Sequence, residues 1–246
     1  MTKKEIYAAY GIEYANGKIV SPLGEVAPLL VNGNAKLGKG VWTWSMLPGC
    51  DGEGTCCCTC KGCYAMTGFY RMKGTVAALT IRTRLARYHL DFFKRAVSAQ
   101  IVADDIKLIR IHAAGDFFGD DYINAWRDIA RAAGDCKFWT YTKNERAVHA
   151  FDDLDNINVV RSVIDGCGFN FGHCDYILDT YNKLSAAGET PYICRCGIDK
   201  NQHCVNCKGC SANKYVLFVE HSTAYKAEED PAFPALRDLI DRQPRI

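Results

Sequence analysis

The 246-residue chain carries almost no excess charge: 30 basic and 28 acidic side chains leave a net charge of +2. That balance excludes a protein held on a polyanion by bulk electrostatics, and it excludes a long acidic tail. The chain lacks the run of about 18 apolar residues that a membrane span needs. Its amino terminus, MTKKEIYAAYGIEYANG, lacks the apolar core of a secretory leader. A cytoplasmic chain with no membrane partner is expected. Internal repeats and low-complexity stretches are missing too. With 48% hydrophobic and 24% charged residues, the composition suits one ordinary domain, or one with a small appendage.

Cysteine is what the chain has in excess. Of its 14 cysteines, six lie between Cys50 and Cys63, five between Cys194 and Cys210, and Cys136, Cys167 and Cys174 stand apart. A disulfide framework suits a short secreted chain whose core is too small to hold it. This chain is long enough to bury a core and shows no export signal. Thiols grouped with two-residue gaps in a reducing compartment are expected to be metal or cluster ligands.

Glycines, with Pro22 and Pro28, punctuate residues 1–40, which read as an N-terminal extension. β-prone segments follow at 41–45, 107–112, 137–142, 157–163, 190–194 and 214–220. Between them lie helical patterns at 75–103, 120–133, 144–154 and 175–187, and a last one at 234–242. In the first, Val76, Leu79, Leu85, Tyr88, Phe92 and Val97 share a face. Asp120 or Asp121 is the expected N-cap of the second. Trp42, Trp44, Trp126 and Trp139 are expected in the core. Residues 41–193 read as the core with the first cysteine cluster. Residues 194–246 carry the second cluster, the last strand and the C-terminal helix. Strands alternating with helices imply an α/β fold with parallel crossovers. Either an open doubly wound sheet or a partial (β/α)6 barrel satisfies that pattern, with the cysteine-rich loops at the carboxyl ends of the strands.

In the first cluster Cys56, Cys60 and Cys63 have CxxxCxxC spacing. Three thiolates on a tight loop hold three irons of a [4Fe-4S] cluster and leave the fourth open. Cys57, Cys60 and Cys63 give the alternative CxxCxxC set, and Cys50 and Cys58 compete for the same role. Zinc also uses such knuckles. In the second cluster, Cys204, Cys207 and Cys210 form a CxxCxxC triplet, with Cys194 or Cys196 as the fourth ligand. Four thiolates close either a second [4Fe-4S] cluster or a tetrahedral zinc site. His203 is a possible substitute for a thiolate. Cys167 and Cys174, which flank His173, read as ordinary thiols.

Polar residues at strand ends complete the candidates. Gly115 permits close backbone approach to a ligand, and Asp116 offers a carboxylate to an amino group or caps the next helix. His112 either faces the strand ends or packs in the core. Tyr141, Thr142 and Lys143, then Ser162 and Asp165, are placed to meet a phosphate, carboxylate or ribose, or simply to form turns. Arg71, Lys73, Arg82, Arg84, Arg87, Lys94 and Arg95 make the first long helix basic. That is a phosphate-contacting face for nucleic acid or a solvated surface.

The CxxxCxxC loop after a first strand, with βα units to follow, resembles the radical S-adenosylmethionine superfamily. There three cysteines bind a [4Fe-4S] cluster whose open iron is chelated by S-adenosylmethionine. Ala114-Gly115-Asp116 stands where that superfamily has Gly-Gly-Glu, and Gly62 precedes the third cysteine where an aromatic residue is usual, with Tyr64 after it. AKLGKGVWTWSMLPGC, CYAMTGFY, RIHAAGDFFGDDYINAW and FWTYTKN resemble the cysteine-rich, phage-type gene product 88 family over roughly residues 28–215. The first resemblance implies Cys56, Cys60 and Cys63 as cluster ligands, and Gly115, Asp116, Tyr64, Ser162 and Lys143 around S-adenosylmethionine. It also implies an electron donor and reductive cleavage of that cofactor, on a substrate the sequence does not name. The alternative is a non-catalytic zinc or iron–sulfur protein of phage origin in the host cytoplasm, with nucleic acid as its partner.

Overall fold

In the computed structural model of the chain the described residues are 1–33, 37–48, 65, 68–164, 166, 168–199, 201–207, 209–220 and 225–244. Helix α1 (Lys3–Ala9) starts with a capping box between Thr2 and Glu5 and leads into a three-stranded meander, β1 (Tyr14–Ala15), β2 (Lys18–Ser21) and β3 (Gly24–Val26). The larger sheet then collects β4 (Val31–Asn32), β5 (Trp42–Trp44), β6 (Leu108–Ile111), β7 (Lys137–Thr142) and β8 (Ile157–Arg161), side by side in that order. β4 pairs antiparallel with β5; the other pairs are parallel.

Alternation along these strands decides what covers each face. Trp44, Ile109, Ile111 and Phe138 pack on one side with helices α2 (Lys73–Tyr88), α3 (Leu90–Ala103) and α4 (Asp120–Ala132). Phe93 of α3 lies between Trp44 and Trp126, with ring centroids 4.8 and 5.5 Å away. Leu108, Trp139, Tyr141 and Val160 face the other way, where no long helix covers them. The N-terminal extension belongs to the helix-side core through Tyr7, Ile12, Ile19 and Leu30. Gln100 pins it there: buried in α3, its side chain accepts from the Leu30 N–H (2.8 Å) and donates to the Leu30 carbonyl (2.9 Å).

After helix α5 (Glu145–His149) and β8, a hairpin of β9 (Val163–Ile164) and β10 (Gly168–Phe169) reverses the chain. β11 (Phe171–Gly172), helix α6 (Cys174–Ala186), β12 (Tyr192–Ile193), the short helices α7 (Cys204–Cys207) and α8 (Gly209–Ala212), β13 (Val216–Val219) and helix α9 (Phe233–Arg242) follow. The second sheet runs β11-β13-β12, with both pairs parallel. α6 and α9 cover it through Ile177, Leu184, Leu236 and Ile240.

The mixed α/β class read from the sequence holds, but the six expected strands do not run as one sequential arc. They fall in two sheets, and among the described residues neither closes into a barrel. The last strand lies inside the second sheet, while the fifth is at its edge. The reason is in the residues: Val216, Leu217 and Val219 are all buried, and an unbroken apolar run suits a strand covered on both faces. Only two residues of TPYIC pair.

The long helix expected at 75–103 is two, broken at His89 (φ −138°, ψ 51°). Of the expected apolar face Leu79, Leu85, Phe92 and Val97 are buried, but Tyr88, beside the break, and Val76, in the first turn, are exposed. At α4 the cap is Gly119. Asp120 and Asp121 sit in the first turn, where carboxylates favour the helix dipole.

Gln100→Leu leaves the buried Leu30 amide and carbonyl without partners. It is expected to lower the unfolding free energy by about 1–3 kcal/mol, read from the urea midpoint. An unchanged midpoint would show that this bond pair does not anchor the extension.

Candidate metal centre

Residues 194–212 leave the edge of the second sheet and lie against the uncovered face of the first. The Cys194 N–H donates to the Leu217 carbonyl (2.8 Å), which extends β12 by one rung. A 3₁₀ turn at Arg195–Gly197 follows, then α7 and α8. Cys204 and Cys207 bound α7, and a three-residue spacing on a helix puts two side chains on one side. Asn158 of β8 holds the far end, with Nδ2 donating to the Cys210 carbonyl (2.9 Å) and the Asn213 carbonyl (2.8 Å). Two close approaches need glycine. A Cβ on Gly209 would collide with the Tyr192 ring, and one on Gly38 (φ +83°) would lie 2.8 Å from Val205 Cγ1. Residues 37–41 form the roof, with the Val205 N–H donating to the Leu37 carbonyl (3.1 Å).

The five thiols of this segment converge. Cys194, Cys207 and Cys210 are buried and Cys196 and Cys204 half-buried, all without disulfides. Cys196, Cys204, Cys207 and Cys210 line a cavity of about 10 Å³ with Leu108 and Trp139, enough for roughly one water-sized sphere. Cys204 Sγ stands 3.8 Å from Cys196 Sγ, far beyond a disulfide bond of about 2.05 Å. The Tyr192 hydroxyl lies 3.2 Å from Cys207 Sγ.

The electrostatics divide the thiols into donors and an acceptor. Hydrogen bonds with Cys194, Cys204 and Cys207 push the Cys196 thiol up. Cys207 is held below the ordinary thiol range by Cys196, with the Tyr192 hydroxyl and the Gly209 amide adding to the effect against burial. Contact with Cys194, and then burial, push Cys210 up. The neighbours of Cys207 thus favour its ionisation.

In residue type, four thiols lining one cavity suit a tetrahedral metal. Zinc–sulfur bonds of about 2.3 Å place ligand sulfurs about 3.8 Å apart at the edge of a tetrahedron. A four-iron cube holds each thiolate on a separate iron, so its sulfurs stand farther apart than the Cys196–Cys204 pair. Among the described residues no three or more His, Cys, Asp or Glu side chains stand so as to hold a metal ion. The thiols are gathered but not closed around one point.

The first cluster, Cys50, Cys56, Cys57, Cys58, Cys60 and Cys63, lies outside the described residues, as do Tyr64, Asp165 and Cys167. The chain leading to it is fixed at the carboxyl end of β5, where the Met46 N–H donates to the Ala114 carbonyl (3.0 Å). There Gly115 takes φ +85°. Asp116 is buried, accepting from Thr142 Oγ1 (2.6 Å), the Phe117 N–H (2.7 Å) and the Lys143 N–H (2.9 Å). Burial raises its pKa, and these bonds oppose the rise. The Ser162 N–H donates to the Thr142 carbonyl (2.8 Å). Gly115, Asp116, Lys143 and Ser162 are therefore brought to one rim by a backbone network. The second cysteine cluster packs on Leu108 and Trp139 and reaches Tyr141, the residue before Thr142, through Cys210.

His112 is a core residue. It has φ +59° and is 3% exposed, with Nε2 2.9 Å from the Tyr122 hydroxyl, which also accepts from Trp44 Nε1 (2.8 Å). The basic residues of α2 and α3 serve the fold as well. The Arg87 guanidinium lies 4.4 Å from the Phe118 ring centroid, Arg95 donates to the Tyr10 and Gly11 carbonyls, and Lys94 pairs with Asp128. Tyr192, Arg195 and Gly209 escaped the sequence reading. One signal marked Gly209: the tetrapeptide CKGC stands at both 60–63 and 207–210. No described helix is long and apolar enough to cross a membrane.

The family model described as "Gene product 88" matches residues 28–231. The "Gene 88 protein" of Mycobacterium phage L5 is 33% identical over 135 residues, 46% of this chain and 54% of that protein. Its counterpart in Mycobacterium phage D29 is 32% identical over 116 residues, 42% of this chain and 47% of that protein. The chain thus spans about half the length of each relative. No solved structure matches.

Burial, followed by the Arg110 charge, lowers the His112 pKa to about 3 from 6.5. The unfolded chain therefore takes up a proton first, so stability is lost as pH falls below 6.5 toward the folded value. Between pH 7 and pH 5 the loss from this one group is expected to be about 2 kcal/mol. His112→Asn suits the positive φ and removes the titrating ring, so it should flatten that slope in urea titrations. An equal slope in both proteins would refute the assignment.

Proposed function

The chain belongs to the gene product 88 family, and from that premise we propose that it is a zinc–thiolate protein whose second cysteine cluster braces the fold. Cys196, Cys204, Cys207 and Cys210, which line the small cavity, would hold the ion. Cys194 lies behind them, buried against Cys196 and Cys210. The observation that carries the reading is the 3.8 Å separation of Cys196 and Cys204 sulfurs, the edge of a tetrahedral thiolate site. The ion would supply folding energy, because the site is absent from the unfolded chain. The residues themselves do the rest: Leu108 and Trp139 form an apolar floor that excludes water, and Tyr192 gives Cys207 a hydrogen bond.

A second reading concerns the first cluster. Cys56, Cys60 and Cys63 would hold a [4Fe-4S] cluster with one open iron, and Gly115, Asp116, Tyr64, Lys143 and Ser162 would surround S-adenosylmethionine. It is favoured by the Met46–Ala114 hydrogen bond, which brings the chain entering that cluster to the Ala114-Gly115-Asp116 turn. Such a centre would supply an electron, taken from an external donor, for reductive cleavage of the bound cofactor.

Metal analysis separates the two sites. A chain with Cys56, Cys60 and Cys63 all changed to Ser should retain about one zinc and no sulfide. Cys207→Ser on that background should lose the zinc and melt lower, while Cys136→Ser should keep it. Stoichiometric iron and sulfide in the first of these variants would overturn the zinc reading. For the second reading, the unsubstituted chain reconstituted anaerobically with iron and sulfide should change its EPR signal with S-adenosylmethionine and release 5′-deoxyadenosine. No change in either would retire it.

A further inference from the structure

The C-terminal helix reaches the cysteine segment at three points. Arg195, between Cys194 and Cys196, is 6% exposed, and its Nη2 donates to the Ile240 carbonyl (2.6 Å) and the Gln243 carbonyl (2.7 Å). These carbonyls lie at the carboxyl end of α9, where the Ile240 carbonyl also accepts from the Gln243 N–H (3.3 Å) and a helix end favours a cation. Gln243, also buried, accepts from the Ile193 N–H with Oε1 (2.5 Å) and donates from Nε2 to the Ile193 carbonyl (3.3 Å). It thereby pairs with β12 one residue before Cys194. Arg237 Nη1 donates to Asp199 (2.7 Å), in the loop that joins Cys196 to Cys204. On the other side Arg195 neighbours the Tyr192 hydroxyl, which contacts Cys207.

None of these contacts is needed to bury α9, because Leu236 and Ile240 already do that on Ile193 and Leu217. They do place a permanent cation, desolvated and hydrogen-bonded, next to a set of thiols. Gathering thiolates around an ion accumulates negative charge, and a buried cation fixed close by offsets it. That cation stays in place only while the end of α9 supplies its carbonyl partners. In turn, the Arg195 carbonyl accepts from the Ile198 N–H (2.9 Å) and the Asp199 N–H (2.8 Å), which ties the same residue to the loop between Cys196 and Cys204.

We propose that Arg195 and Gln243 are positioning residues that make α9 part of the cysteine centre, so that metal occupancy and docking of α9 rise and fall together. The proposal rests on the zinc reading of the second cluster and adds to it a distant, non-ligating helix.

Hydrogen exchange on the full chain, zinc-loaded and then chelated, tests the coupling. Chelation is expected to speed amide exchange in 233–242 about tenfold or more, together with 192–207. Cobalt(II) titration followed by its thiolate absorption bands supplies a second readout. Gln243→Ala, which touches no sulfur, should weaken cobalt binding about tenfold, Arg195→Lys less than Arg195→Met, and Asp238→Asn not at all. Unchanged exchange in α9 from a chain shown to carry zinc would overturn the coupling alone, as would wild-type cobalt affinity in Gln243→Ala. A wild-type chain that retains no zinc would overturn the metal reading and the coupling with it.

Discussion

The structure depends on how the second face of the larger sheet is covered. Three helices cover the first face with large apolar side chains. Leu108, Trp139 and Val160 on the other face meet a segment whose buried groups are mainly sulfur. Two four-residue helices are far too short to stand by themselves, so the segment's order comes from its contacts. Thiols suit such a contact because a protonated thiol packs as a small apolar group. Cys194, Cys207 and Cys210 are buried there together with Leu37 and Val41.

The rim at the carboxyl end of β6 is organised differently. Asp116 takes all three of its identified hydrogen bonds from the protein itself and joins the turn after β6 to the end of β7. His112 holds a left-handed backbone angle within an aromatic core, a conformation that a β-carbon disfavours and that surrounding contacts must sustain. This rim is a rigid platform, with Gly115 and Lys143 at its edge, from which the chain enters the first cysteine cluster. Two of the basic residues on α2 and α3 also bond internally: Arg87 lies over the Phe118 ring and Arg95, although exposed, donates to the Tyr10 and Gly11 carbonyls.

Membership of the gene product 88 family covers the sheet, both rims and the second cluster, since the match runs from residue 28 to 231. α9 lies wholly beyond it. The helix nevertheless closes the second sheet and bonds the segment between Cys194 and Cys204, so a chain ending at the family boundary would leave Arg195 with its carbonyl partners missing.

Much of this was legible in the residues. Apolar periodicity revealed the six principal strands and most helices, and the spacing of Cys204, Cys207 and Cys210 marked thiols that gather at one cavity, because side-chain spacing along a helix or strand is a local property. His89 as a break in the first long helix was not legible, nor were α1 and the meander within a stretch punctuated by glycine. The order of strands in the second sheet, the choice of Cys196 as a lining thiol, and the roles of Tyr192, Arg195 and Gln243 came only from the tertiary structure. Each joins segments distant along the chain, and which segments meet is decided by competition among buried surfaces. The sequence by itself determined where elements form and which atoms are capable of chemistry; the folded packing decided which of those atoms stand within reach of one another.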